Sequence, residues 1–86
     1  MKNLEKMYEE SGVKMFDSDF RVRFQAEYIQ AKVRQMKLKA MLDKWESKQL
    51  DFEPRCSREL LTHQYEVMTQ YIDILRQRAQ IEGVEL

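Results

Sequence analysis

Between Phe20 and Trp45 the apolar residues fall into two stripes rather than one. Val22, Ala26, Ile29, Val33, Met36 and Ala40 recur at alternating steps of four and three, the spacing of a coiled-coil seam. Phe24, Tyr28, Ala31, Leu38, Leu42 and Trp45 do the same, with Gln35 filling one step. At about 100° per residue the two stripes lie roughly 190° apart, on opposite sides of one helix. The charges fall between them: Arg21, Lys32, Lys39 and Asp43 on one flank, Arg23, Glu27, Arg34 and Lys37 on the other. A helix that is apolar on two sides needs two partners.

No glycine or proline interrupts this pattern before Pro54. The long helix is therefore predicted over residues 18–46, regular from Phe20 to Glu46 and about 40 Å long. Asp17 or Ser18 is its expected cap, with Asp19 well placed in the first turn. Ser47–Ser57 reads as a hairpin loop, in which Pro54 holds Glu53 extended and Ser57 caps the next helix. That last helix is predicted over 57–82, from Arg58 to Glu82, with Gly83 as its stop. Its apolar surface is broad: Leu61, Tyr65, Met68, Ile72, Leu75 and Ala79 form one set, and Leu60, Val67, Tyr71, Ile74 and Ile81 a second. At the other end of the chain, residues 2–11 make a short helix with Leu4, Met7 and Tyr8 on one side and Gly12 as its stop. The expected fold class is all-α: one domain, an antiparallel helical hairpin with a short N-terminal helix, assembled into an oligomer.

The oligomer is expected because of the apolar surface the chain must cover. The last helix can take one stripe of the long helix, and the N-terminal helix is too short to hide the remainder. The bulky stripe beginning at Phe24 suits the core of the hairpin. Val22, Ala26, Ile29, Val33, Met36 and Ala40, small or β-branched, suit a seam with a second copy. Ile29→Asp is then expected to abolish assembly, and Leu42→Asp to unfold the hairpin.

Composition narrows the function. The chain has 86 residues, two glycines, one proline and 35% charged side chains. Fifteen basic and fifteen acidic groups cancel, so no global field draws it to duplex nucleic acid or to a membrane surface. No apolar run is long enough to span a bilayer, and Met1–Glu10 lacks the apolar segment of a signal peptide. A cytoplasmic location is expected, and the single Cys56 agrees with a reducing compartment.

In the last helix, Glu59-Leu60-Leu61, Gln64, Met68, Tyr71, Ile74-Leu75 and Arg78 form a longer signature. It resembles a small phage protein family first catalogued from a crAss-like phage, short helical hairpins whose second helix reads LLxxQxxxMxxYxxILxxR. The likeness covers Glu59–Arg78 well, and extends loosely to the long helix through Arg21-Val22, Glu27 and Leu38. That family usually has a Phe near the end of its first helix, where this chain has Met41, Leu42 or Trp45. Residues 1–16 fall outside it. The resemblance implies a phage or prophage protein at work in an infected bacterial host, and brings no catalytic residue with it.

Nor do the residues themselves nominate one. His63 is the single histidine, and nothing stands at a spacing that would build a triad around it. Cys56 and His63 offer two zinc ligands where four are needed, and no glycine-rich phosphate loop is present. No cofactor and no metal is expected, and no enzymatic activity. Residues 20–45 carry seven Lys/Arg against two acids, a pattern that suits either an anion or a salt-bridged flank. Gln64 and Arg78 interrupt the apolar sector of the last helix. Burying that guanidinium requires a partner: Glu27 across the hairpin, which should lie near it, or a ligand phosphate.

Two functions remain in view. In one, the protein is an oligomeric sponge whose candidate ligand contacts are Arg21, Tyr28, Lys32, Tyr71 and Arg78. Its ligand would be a small anion such as a cyclic nucleotide immune signal of the host. In the other, it is an adaptor or inhibitor that docks an amphipathic helix face onto a host or phage protein. The sponge needs basic and aromatic side chains converging on a cavity; the adaptor needs a bare apolar stripe.

Overall fold

A computed structural model describes the backbone of residues 2–86 and the side chains of residues 5–86. Three helices follow one another: α1 (Lys2–Lys14), α2 (Phe20–Glu46) and α3 (Arg58–Glu82). Leu4, expected on one face of α1, lies outside the described side chains.

Helix boundaries trace to individual capping residues. The cap of α2 is Asp19, not Asp17 or Ser18: its carboxylate accepts the Arg21 N–H at 2.9 Å. Asp17 acts one step earlier, accepting the Asp19 N–H at 2.8 Å and so folding the chain into the turn that presents the cap. At its other end α2 closes with paired bonds, Lys48 N–H to Trp45 O and Gln49 N–H to Lys44 O, the Schellman pattern. That closure needs a left-handed residue, and Lys48 supplies it at φ 60°. Ser57 caps α3 by accepting the Leu60 N–H at 3.1 Å. Gly83, at φ 71°, ends it.

The N-terminal helix does not stop at Gly12. It continues to Lys14 and unwinds through Met15 N–H to Ser11 O and Phe16 N–H to Val13 O. A glycine inside a helix costs only about 1 kcal/mol against alanine, and the packing of α1 on α2 offsets it. Ser11, on that contact face, is fully buried.

Helices α1 and α3 both pack on α2 and, among the described residues, not on each other. The molecule is accordingly long and shallow, 43 × 25 × 19 Å, with α2 in the middle of a single layer. The α2–α3 register is antiparallel. Glu46 meets Arg58, Lys39 lies over Tyr65, Gln35 binds Thr69 and Tyr28 meets Arg76; each step down α2 is matched by an equal step up α3. The core between them is Phe24 and Ala31 against Ile72, Leu75 and Ala79, with Tyr28 packed alongside. Val84 folds back past Gly83 to join it, its N–H donating to Ala79 O.

The second stripe of α2 has a different fate from the one its sequence suggests. Ala26 and Val33 are buried inside the single chain, 0% and 4% exposed, and Val22 and Ile29 are half-buried. They lie on the side of α2 away from α3, where α1 packs. α1 runs antiparallel to α2, with Tyr8 under the Lys37 ammonium and Glu5 beside Met36 and Ala40. Reaching to Lys14 rather than Gly12 lets α1 cover most of this stripe. Ala26 and Val33 are therefore not interface residues, and Ile29→Asp would disturb the α1–α2 packing instead. Only Met36 and Ala40, at the far end of the stripe, stay exposed.

Candidate ligand-binding cleft

Beside α2, between the start of α1 and Tyr65 of α3, the three helices leave an open cleft of about 450 Å³. Val33, Met36 and Ala40 line it with apolar surface, Lys32, Lys37 and Lys39 bring ammonium groups, and Tyr65 borders it from α3. Glu5 and Asp43 are its acidic members, so three cations stand against two anions. Size and chemistry match a small-molecule site, apolar with a few placed polar groups.

Each polar group has a traceable position. Lys39 and Asp43 stand one turn apart and pair at 3.0 Å. The hydrogen bond that the Lys39 ammonium donates to Asp43, and then the Asp43 charge, hold the pKa of Lys39 above its ordinary value of 10.5, so it is cationic at neutral pH. The same ammonium lies 5.8 Å from the Tyr65 ring centroid, within cation–π range. Lys32 donates to Gln35 Oε1 at 3.2 Å, and Gln35 in turn donates to the Thr69 hydroxyl at 2.9 Å. Gln35 is almost fully buried, and this chain of bonds is what makes a polar residue tolerable in the stripe that faces α3. Lys37 sits over the Tyr8 ring at 5.6 Å. Among the described residues neither Lys32 nor Lys37 has a carboxylate partner at ion-pair distance, which leaves both charges for an incoming anion.

The five ligand candidates chosen from sequence do not converge. Lys32 alone lies in the cleft. Arg21 pairs with Asp19 at the start of α2, at 3.6 Å. Tyr28 accepts a hydrogen bond from Arg76 at 3.1 Å and lies under its guanidinium. The Tyr71 hydroxyl donates to the Glu27 carboxylate. Arg78 is close to residue 25, as the register demands, yet it does not pair with Glu27. It pairs with Glu82 at 2.8 Å, one turn along its own helix, and stacks 4.8 Å from the Phe24 ring centroid. An acid at i+4 on the same helix reaches the guanidinium with no help from tertiary structure, and Tyr71 already occupies Glu27. The Glu82 bond, and more weakly the charges of Glu82 and Glu27, raise the Arg78 pKa further.

Sequence reasoning passes over Lys37, Gln35 and Tyr65 as site residues. Lys39 and Asp43 are visible on the flank that carries Lys32. Tyr65 is hidden among the core positions of α3, and only the register shows that its ring stands beside a lysine. His63 and Cys56 gain no companions: among the described residues no cluster of three metal-ligating groups exists, and Cys56 is exposed. No helix of the described residues is long and apolar enough to cross a membrane.

A protein-family model described as Sequestin matches residues 18–81. The chain belongs to the Sequestin family. The matched span begins one residue before the α2 cap and runs through the hairpin loop almost to the end of α3. In this Sequestin chain α1, which brings Glu5 to the cleft and Tyr8 to Lys37, lies outside the span. No curated protein and no solved structure matches the chain.

Proposed function

We propose that the chain is a non-enzymatic binding protein of phage type. It works as a homo-oligomer in the cytoplasm of an infected bacterium and sequesters a small anionic ligand, such as a cyclic nucleotide immune signal of the host. The observation that carries this reading is the cleft. Lys32 and Lys37 hold charge not committed to a carboxylate, Tyr65 offers a π-face, and Val33, Met36 and Ala40 give an apolar floor. A phosphate suits the ammonium groups and a nucleobase suits the ring and floor. The family name, Sequestin, speaks for sequestration as the mode of action. The cleft offers no nucleophile beside a general base, so its chemistry is capture and release of an intact molecule.

Thermal-shift titration with cyclic di- and trinucleotides and ADP-ribose derivatives tests the proposal. A ligand at a hundred times its Kd adds about 2.7 kcal/mol of stability. Lys32→Gln combined with Lys37→Gln should remove the shift measured against the variant's own unliganded melting temperature, and the ligand should be recovered chemically unchanged. Absence of any shift across the panel, or recovery of a cleaved nucleotide, refutes it. The adaptor reading draws on a different feature, the bare apolar stripe of α3, where Leu60, Val67, Ile74 and Ile81 are exposed. A host protein retained by the oligomer through that stripe would favour it.

A further inference from the structure

Along α3 the residues Leu60, Gln64, Val67, Tyr71, Ile74, Arg78 and Ile81 succeed one another at steps of four and three. They form a single stripe about 100° round the helix from the core residues Ile72, Leu75 and Ala79. All seven are exposed. The stripe is about 32 Å long and has the spacing of a coiled-coil seam, but among the described residues nothing covers it, since α1 packs on α2.

The order of side chains along the seam reads the same from either end: apolar, polar, apolar, Tyr71, apolar, polar, apolar. We propose that the seam docks on the same seam of a second copy, antiparallel, with a two-fold axis passing beside Tyr71. Val67 then meets Ile74, Leu60 meets Ile81, and the Gln64 amide oxygen accepts from the Arg78 guanidinium. An isologous interface requires this self-complementarity; a foreign helix does not. Parallel pairing is disfavoured because it would place Arg78 on Arg78. The outer margin, His63, Gln70 and Gln77, holds no acid, lysine or arginine, so no like-charged pair of these is brought together there. Arg78 is ready for burial, with Glu82 at 2.8 Å and the Phe24 ring at 4.8 Å already meeting its charge. None of the seam residues lines the lysine cleft, whose one α3 member is Tyr65.

The seam rests on the oligomeric half of the proposed function and is independent of the ligand. Disulfide mapping in a Cys56→Ser background tests it, because a disulfide forms only where two Cα atoms approach within about 7 Å. Tyr71→Cys should cross-link to its own copy on mild oxidation. Leu60→Cys alone should not, whereas a mixture of Leu60→Cys and Ile81→Cys chains should. Val67→Asp with Ile74→Asp should reduce the sedimenting mass to the 10.5 kDa of one chain while the helical circular dichroism is kept. Self-linking of Leu60→Cys would show a parallel pair and overturn the geometry. An oligomer that survives the double substitution, or fails to link at Tyr71→Cys, sinks the seam but leaves the oligomeric reading standing. A wild-type chain that sediments as a monomer sinks both, with the ligand titration unaffected.

Discussion

Ile74 and Leu75 are neighbours in sequence with opposite fates, and truncating each to alanine separates the core from the seam. Leu75 is 0% exposed and packs among Ile72, Ala79 and Phe24. Leu75→Ala removes its transfer energy and leaves a cavity that a helix pair can only partly close, a loss of about 3 kcal/mol. For a domain of this size each kcal/mol shifts the melting temperature by several degrees, so the fall should be about 12–24 °C. Ile74 is 53% exposed. In a single chain Ile74→Ala gives up little packing and gains helix propensity, so its effect should stay within about 0.5 kcal/mol. Thermal unfolding followed by circular dichroism, run dilute and concentrated, reads both. The Leu75→Ala deficit should be present at any concentration, whereas that of Ile74→Ala should grow with concentration as the seam fills. If Ile74→Ala at high dilution destabilises as much as Leu75→Ala, the assignment of the two faces of α3 is wrong.

Local geometry sets three further outcomes. Lys48→Gly should raise stability by about 1 kcal/mol, since a left-handed lysine is relieved at no loss of side-chain packing; the urea midpoint should rise with an unchanged slope. Ser57→Ala should lower stability by about 1 kcal/mol by leaving the Leu60 N–H uncapped, read the same way. Because Lys39 is held above 10.5 by Asp43, whatever that pair contributes is complete below pH 10.5 and is lost as the pH climbs past it. Urea midpoints of wild type and Asp43→Asn should therefore differ by a constant amount from neutral pH up to that point and converge above it.

Much of the fold is legible because the punctuation is local. Ser57 and Gly83 bound α3, the loop around Pro54 separates it from α2, and nothing inside either helix competes with helical geometry. The misreadings fall where the deciding interaction is not local. Gly12 is a stop signal on propensity alone, and only the burial of Ser11 against α2 reveals why the helix ignores it. Arg78 reads as the partner of Glu27 from the register, but Glu82 is closer along the helix and Tyr71 claims the carboxylate. The cleft is half visible in the sequence, since Lys32, Lys39 and Asp43 share a flank. Tyr65 cannot be assigned to it there, because the broad apolar sector of α3 does not say which of its two sets faces α2.

Two opposed apolar faces on α2 do demand two partners, and the chain supplies both itself, α3 on one side and α1 on the other. Covering α2 so completely uses only one of the two apolar sets on α3. The unpaired surface that the sequence places on Val22–Ala40 is thus transferred to Leu60–Ile81, where side chains are larger and the spacing holds without interruption. A small domain whose central core comprises Phe24, Ala31, Ile72, Leu75, Ala79 and Val84 has little stability in reserve. An uncovered seam of that length on its outer helix is the surface through which a second copy would add most.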